Sequence, residues 1–229
     1  MNMLLLWDYF VLSFSALLPL INPLGSALIF LTLVGQAPIP LYHSLARRIA
    51  INTVIFLVII DLVGSAVLRF FGISLPIVQL AGGLVIAAIA WSLLNQSSSD
   101  PSAEKMQAAA QAQVEDIASH LDEKIFYPFT FPITAGPGCI VVMLTLAAHT
   151  PQRPIKENLL AHAGLLAAIL VLCLSVYFCY AHAHRIAQHI SPSTAHGILR
   201  VIGFLLLCIG VQIAWNGLVP LLAGVIHPA

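Results

Sequence analysis

Polar residues are so sparse along this chain that its pattern is one of long apolar runs, with no strand-like alternation. Six runs approach or exceed the roughly 20 apolar residues a helix needs to cross a bilayer: Tyr9–Val34, Ala46–Phe71, Pro76–Leu94, Phe126–Ala148, Asn158–Ala181 and Ile198–Leu222. The first of them holds two prolines and a glycine, in "LLPLINPLGSALIFLTL", Leu17 to Leu33. An interior proline removes a backbone donor and clashes with the preceding turn, at a cost of about 3 kcal/mol or more. The 26 residues of that run, at about 1.5 Å each, reach roughly 39 Å, enough for one crossing and not for two. The pattern therefore predicts an all-α polytopic membrane protein whose first span is broken.

One long polar segment interrupts the runs, Asn95 to Lys124. Asp100 and Pro101 fit an N-cap and first helical residue. Met106, Ala110, Val114, Ile117, Leu121 and Ile125 then recur at amphipathic-helix spacing. This divides the chain into a first three-span unit (1–95), a linker carrying an amphipathic helix (96–125) and a second three-span unit (126–229). With six crossings, Arg47, Arg48, Lys105, Lys124, Arg185 and Arg200 fall on one side, and Arg69, Arg153 and Lys156 on the other. Cytoplasmic loops carry the excess of Lys and Arg, so both termini are expected outside the cytoplasm and the linker inside it.

The two halves resemble each other. With an offset of 113, Pro19 falls on Pro132, Gly25 on Gly138, Leu31 on Leu144, Thr32 on Thr145 and Leu33 on Leu146, while Pro23 and Pro137 miss by one residue. Gly83 and Gly203 give a fainter match at offset 120. Three spans per half is an odd number, so the second half enters from the opposite face and the repeat is inverted. Inverted repeats with interrupted helices at matching positions point to a secondary transporter, with substrate held near the midplane. The backbone groups freed by a break must be buried in protein or line a polar cavity. Those at a half-helix N-terminus suit a carboxylate.

Around the two expected breaks, in helices 1 and 4, stand Asn22, Pro23, Gly25, Ser26, Thr32, Thr130, Thr134, Gly136, Pro137, Gly138 and Thr145. All but Thr130 are taken as substrate-binding candidates. For any single residue, an ordinary packing role competes with this reading, since proline and glycine are common in spanning helices and Ser or Thr often bond their own backbone.

Composition sharpens the picture where charge is rare. Only 8% of the 229 residues are charged, against 60% hydrophobic, and nine Lys and Arg balance nine Asp and Glu, which leaves no basic surface for nucleic acid. Met1 to Phe10 lacks the positive region of a cleaved signal peptide. Cys139, Cys173, Cys179 and Cys208 sit in apolar runs and are expected to be buried free thiols. Asp61, inside the second run, is costly in a bilayer and is expected to face a cavity, a partner or a proton path. It is the candidate for ion coupling, with H+ favoured over Na+; the competing reading sets it near the interface, helped by Arg69. Nine histidines, among them His182, His184 and His189 in "HAHRIAQHI", raise the possibility of a metal. No carboxylate or cysteine joins that cluster in sequence, and a helix C-terminus favours cationic residues anyway, so no metal or cofactor is expected. His162 is read as packed or interfacial. No GxSxG, HExxH or GKS loop occurs, so no enzyme and no catalytic residue is expected.

The blocks "INPLG" (Ile21–Gly25), "FFGIS" (Phe70–Ser74), "LAGG" (Leu80–Gly83), "FPITAGPG" (Phe131–Gly138), "RVIG" (Arg200–Gly203) and "QIAWNG" (Gln212–Gly217), in this order, resemble the MarC family of bacterial inner-membrane proteins. The resemblance implies six spans in two inverted halves and, from one archaeal branch, uptake of small neutral amino acids such as glycine and alanine. It carries Asn22, Pro23 and Gly25 over from the first motif and Gly136, Pro137 and Gly138 from the second. Asp61 stands where relatives are usually apolar, so no role for it carries over. The expectation is a transporter of small zwitterions in the inner membrane. A divalent-metal transporter and a non-transporting assembly or stress factor are the alternatives. Glycine-rich faces serve contacts within and between protomers alike, so a homo-oligomer is compatible with the sequence.

Overall fold

The computed structural model describes residues 2–35, 37–95, 125–148, 155–189 and 192–226. Among them no strand occurs, and the chain forms α1 (Asn2–Ile21), α2 (Pro23–Val34), α3 (Ile39–Phe70), α4 (Leu75–Asn95), a distorted segment (Ile125–Thr134), α5 (Pro137–Ala148), α6 (Ile155–Ala181), α7 (Ala183–His189) and α8 (Pro192–Ile226). Five stretches are long and apolar enough to cross a membrane, α1 and α2 together making one of them, Met3–Leu31. The distorted segment and α5 make a sixth if that pair, bent by 71°, counts as one span. The helices outrun the apolar runs: α3 begins at Ile39 and α8 at Pro192, several residues before the polarity pattern turns apolar. The amphipathic linker helix expected from Asp100 lies outside the described residues.

The faces of α3 show what the solvent is. Ile51, Ile55, Ile59 and Leu62 form an exposed stripe, whereas the buried face carries Ala46, Ala50, Thr53, Asp61 and Gly64 beside Ile49 and Leu57. A water-soluble helix puts its apolar stripe inside; here the outer stripe is the purely apolar one. Small and polar residues inside let helices approach closely, the arrangement expected in lipid.

Close approach is made by glycines. A Cβ on Gly83 would collide with the backbone of Gly210 and Ala214, one on Gly210 with Ala87, and one on Gly217 with Pro76 and Leu80. The residue numbers rise on one helix as they fall on the other, so α4 and α8 run antiparallel. They bury a small cluster of their own, Ile86, Ala90 and Leu206. The larger core joins α1, α2, α3, α5 and α6 around Leu17, Phe30, Ile49, Phe129, Met143 and Leu172. Gly138 docks the two parts, since a Cβ there would press on Leu20 and Ile86. The turn from α3 to α4 uses "FFGIS": Gly72 adopts φ +66, and the Ile73 amide reaches back to the Leu68 carbonyl at 2.9 Å.

The cysteines are free, but only Cys139 and Cys173 are fully buried; Cys179 is half-buried and Cys208 is exposed on α8. The expectation of four buried thiols fails for Cys208 because an apolar run in a bundle has an outer face that is equally apolar.

Gly83→Val should lower the melting temperature of the detergent-purified protein, since overpacking costs typically about 1–3 kcal/mol even where side chains can yield and here the obstacle is backbone. Gly197→Ala, with nothing within 4 Å of the added carbon, should leave it unchanged. Equal effects of the two substitutions would contradict the glycine seam.

Candidate functional site

The first break is built by three residues of "INPLG". Helix α1 continues through Pro19 to Ile21 and stops at Asn22, whose φ and ψ of 43° and 69° are left-handed. Asparagine tolerates that conformation better than most residues. Its Oδ1 accepts from the Gly25 amide at 3.1 Å and its carbonyl accepts from the Ser26 hydroxyl at 2.8 Å. Pro23 is the first residue of α2, where a missing amide costs nothing. A Cβ on Gly25 would overlap the Asn22 side chain, so the glycine leaves room for the cap.

The second break spreads over "YPFTFPIT". Tyr127 and Phe131, each preceding a proline, are extended (φ −118°, ψ 124° and φ −122°, ψ 128°), and both X–Pro bonds are cis. The prolines lack donors, and threonines supply them: Thr130 Oγ1 donates to the Ile125 carbonyl at 2.9 Å and Thr134 Oγ1 to the Phe129 carbonyl at 2.7 Å. Helical geometry resumes at Pro137, after Gly136.

The two breaks lie side by side. Leu20 meets the backbone at Gly138, and Phe30 packs edge-on to Phe129 at 5.6 Å. The two segments therefore cross antiparallel, with Asn22, two residues past Leu20, level with Gly136, two before Gly138. The start of α5 thus lies beside the end of α1, and the distorted segment beside α2. Tyr180 of α6 spans the junction: its hydroxyl lies 2.8 Å from Thr134 Oγ1, beside the break in the distorted segment, while its ring reaches α2. Its ring stacks on Phe30 at 4.5 Å, and Tyr42 closes the other edge of Phe30 at 5.9 Å. Ser26, Thr130, Thr134 and Tyr180 are all buried.

Of the predicted substrate-binding residues, Asn22, Pro23, Gly25, Ser26, Thr134, Gly136, Pro137 and Gly138 thus gather at this junction. Thr145 does not; it is half-buried on α5, roughly 13 Å along the helix from Gly136. Thr32 lies in α2 about 15 Å along from Asn22, and its side chain is outside the described residues. Sequence reasoning missed Tyr180, which closes an apolar run and whose partners are distant in sequence.

Asp61 is 8% exposed, and its Oδ2 lies 2.8 Å from Nδ1 of His162 on α6. Its partner is thus the histidine read as packed or interfacial; that ring is 31% exposed. Nothing local in the sequence marks this pairing, since 101 positions separate the two.

At the opposite end of the α3–α6 seam a cavity of about 550 Å3 is lined by Tyr42, His43, His182, His184 and Arg185 among others. The Tyr42 hydroxyl donates to the Gly35 carbonyl, and the rings of His43 and His182 lie 5.6 Å apart. The side chain of His189 is not among those described. Among the described residues no three His, Cys, Asp or Glu side chains come together as a metal site would require.

A family model described as "MarC family integral membrane protein" matches residues 7–222. Similar proteins include the inner membrane protein MarC of Salmonella typhimurium (29% identical, covering 90% of this chain and 92% of that one). A membrane protein of Methanocaldococcus jannaschii is 28% identical (92% and 96%), and one of Pyrococcus horikoshii 24% (91% and 94%). No solved structure matches.

Asn22→Ala should destabilise the protein more than Asn22→Gly. Both lose the cap, but alanine, at about 0.5–2 kcal/mol against a few tenths for glycine, must also adopt a positive φ. Melting curves in detergent would read the order, and its reversal would show that the cap does not hold the break.

Proposed function

The chain belongs to the MarC family of integral membrane proteins, and we propose that it is a secondary transporter of small neutral amino acids or similar zwitterions. The observation that carries this reading is the packing of the two breaks against each other, Leu20 on Gly138 and Phe30 on Phe129, beside the buried Ser26, Thr134 and Tyr180. The N-termini of α2 and α5 each carry roughly half a positive charge, so the junction suits a carboxylate, and the hydroxyls suit an ammonium group. Asn22 and Gly136 stand near the centres of the first and fourth apolar runs, the depth at which a transporter holds its substrate.

The inverted-repeat reading draws support from the crossing itself. Each half carries one interruption, at Asn22 in the first and between Thr134 and Pro137 in the second, and the two pack on each other through Leu20 and Gly138. On this reading helices 1 and 4 are discontinuous spans that rock against each other to open the junction to alternate sides. Tyr180, tied to both breaks, holds it closed. The Lys and Arg bias puts both termini outside the cytoplasm, in an inner membrane like that of the Salmonella relative.

Uptake of radiolabelled glycine, alanine, serine and threonine into proteoliposomes is the test. Saturable uptake of at least one is expected. Thr134→Val and Tyr180→Phe should raise KM about tenfold, the effect of losing a hydrogen bond to a charged group worth about 1.5–3 kcal/mol. No uptake and no thermal stabilisation by any of the four, from folded protein, would overturn the reading.

A further inference from the structure

We propose that Asp61 and His162 form one proton-binding couple through which a proton gradient drives this transporter; the inference rests on the transport reading above. The couple joins α3 to α6 at a level where the bundle supplies little else that is polar. Asp61 Oδ2 is held by His162 Nδ1 at 2.8 Å. Asp61 Oδ1 is buried with no hydrogen-bond partner among the described residues, and so is Oδ1 of Asn158, one turn before His162 on α6. One carboxylate oxygen of Asp61 is thus free inside the bundle to take up a proton.

Other titratable groups stand around the pair. Lys156 and Glu157 open α6 a turn or more from His162, Arg69 lies two turns beyond Asp61 on the exposed side of α3, and Tyr9 comes from α1. From α5 the contact at this level is Leu144 against Gly64, beside Thr145. His162 is the partly exposed member of the pair, at 31% against 8% for Asp61. A proton entering at the imidazole is shared with a carboxylate that has no other donor. Unprotonated, the pair carries the charge of Asp61 inside the bundle, where it is costly; protonated, it is neutral as a whole. Loading and unloading one proton thus changes how strongly α3 and α6 attract each other, and α6 also carries Tyr180.

The experiment compares wild type, Asp61→Asn and His162→Gln in proteoliposomes, using whichever of the four amino acids is taken up best. An imposed inward proton gradient should drive accumulation in wild type. Both variants should lose about tenfold of that accumulation, within the usual range of coupling between two sites, while keeping solute exchange in the absence of a gradient. Accumulation driven by sodium alone, or variants that keep proton-driven accumulation, would overturn the couple and leave the transporter standing. Should wild type take up none of the four, the transport reading fails and with it the driving role of the couple. The pH dependence of the melting temperature then still tests proton binding, because the two single variants and the double variant should share one altered profile. Profiles parallel to wild type would overturn the proton site too.

Discussion

Hydrocarbon offers the backbone no hydrogen-bond partner, and every feature of the two breaks follows from that. Each unmet N–H or C=O costs several kcal/mol in lipid, so a helix can be interrupted there only if nearby side chains take over the lost bonds. The chain does this at both sites with short polar residues: Asn22 caps the Gly25 amide, and Thr130 and Thr134 donate to carbonyls that a run holding Pro128 and Pro132 leaves open. The residues that make attractive substrate ligands are thus already bonded. On the transport reading, a solute entering the junction would exchange these bonds for its own, which offsets part of what its new bonds contribute. Such a site is suited to binding and release of a small polar molecule, and poorly suited to holding it tightly.

The second constraint is distance between helix axes. In lipid there is no hydrophobic drive between helices, and contact is earned by shape. Several of this chain's close approaches fall in the family motifs: Gly82 against Val141, Gly83 and Gly217 on the α4–α8 seam, Gly138 at the junction of α1, α4 and α5. "LAGG" and "QIAWNG" therefore describe how one antiparallel pair of helices is packed, and "INPLG" with "TAGPG" describes how two helices are interrupted. A motif match in this family reports architecture first, and chemistry only where the architecture exposes backbone ends.

What was legible in the sequence had a local cause. Apolar runs gave the candidate spans, and prolines with glycines marked the interruption at Asn22 and the bend between Thr134 and Pro137, although Pro19 itself sits inside an unbroken α1 and Met3–Leu31 still counts as one span. Contacts between distant parts of the chain left no such trace. His162 and Asp61 come from different halves, and Tyr180 and His43 are unremarkable members of helical runs until α6 lies against α2 and α3. Cys208 shows the converse: an apolar neighbourhood in the sequence does not distinguish the inside of a bundle from its lipid face.

The placement of α6 ties these observations together. It packs against α1 through Gly164, where a Cβ would strike the Leu6 carbonyl, against α2 through Tyr180 on Phe30, and against α3 through His162 on Asp61. Tyr180 lies 18 residues beyond His162, roughly 27 Å along one continuous helix. On the proposed reading, a tilt of α6 set by the attraction at Asp61 would reach Tyr180, where it meets Phe30 and Thr134. Energetic coupling between two sites needs an element with two arrangements that both sites bias. In this bundle both α3 and α6 touch the Asp61–His162 pair and the break junction, α3 through Tyr42 on Phe30 and Phe56 on Phe131, and α6 through Tyr180 on Phe30 and Thr134.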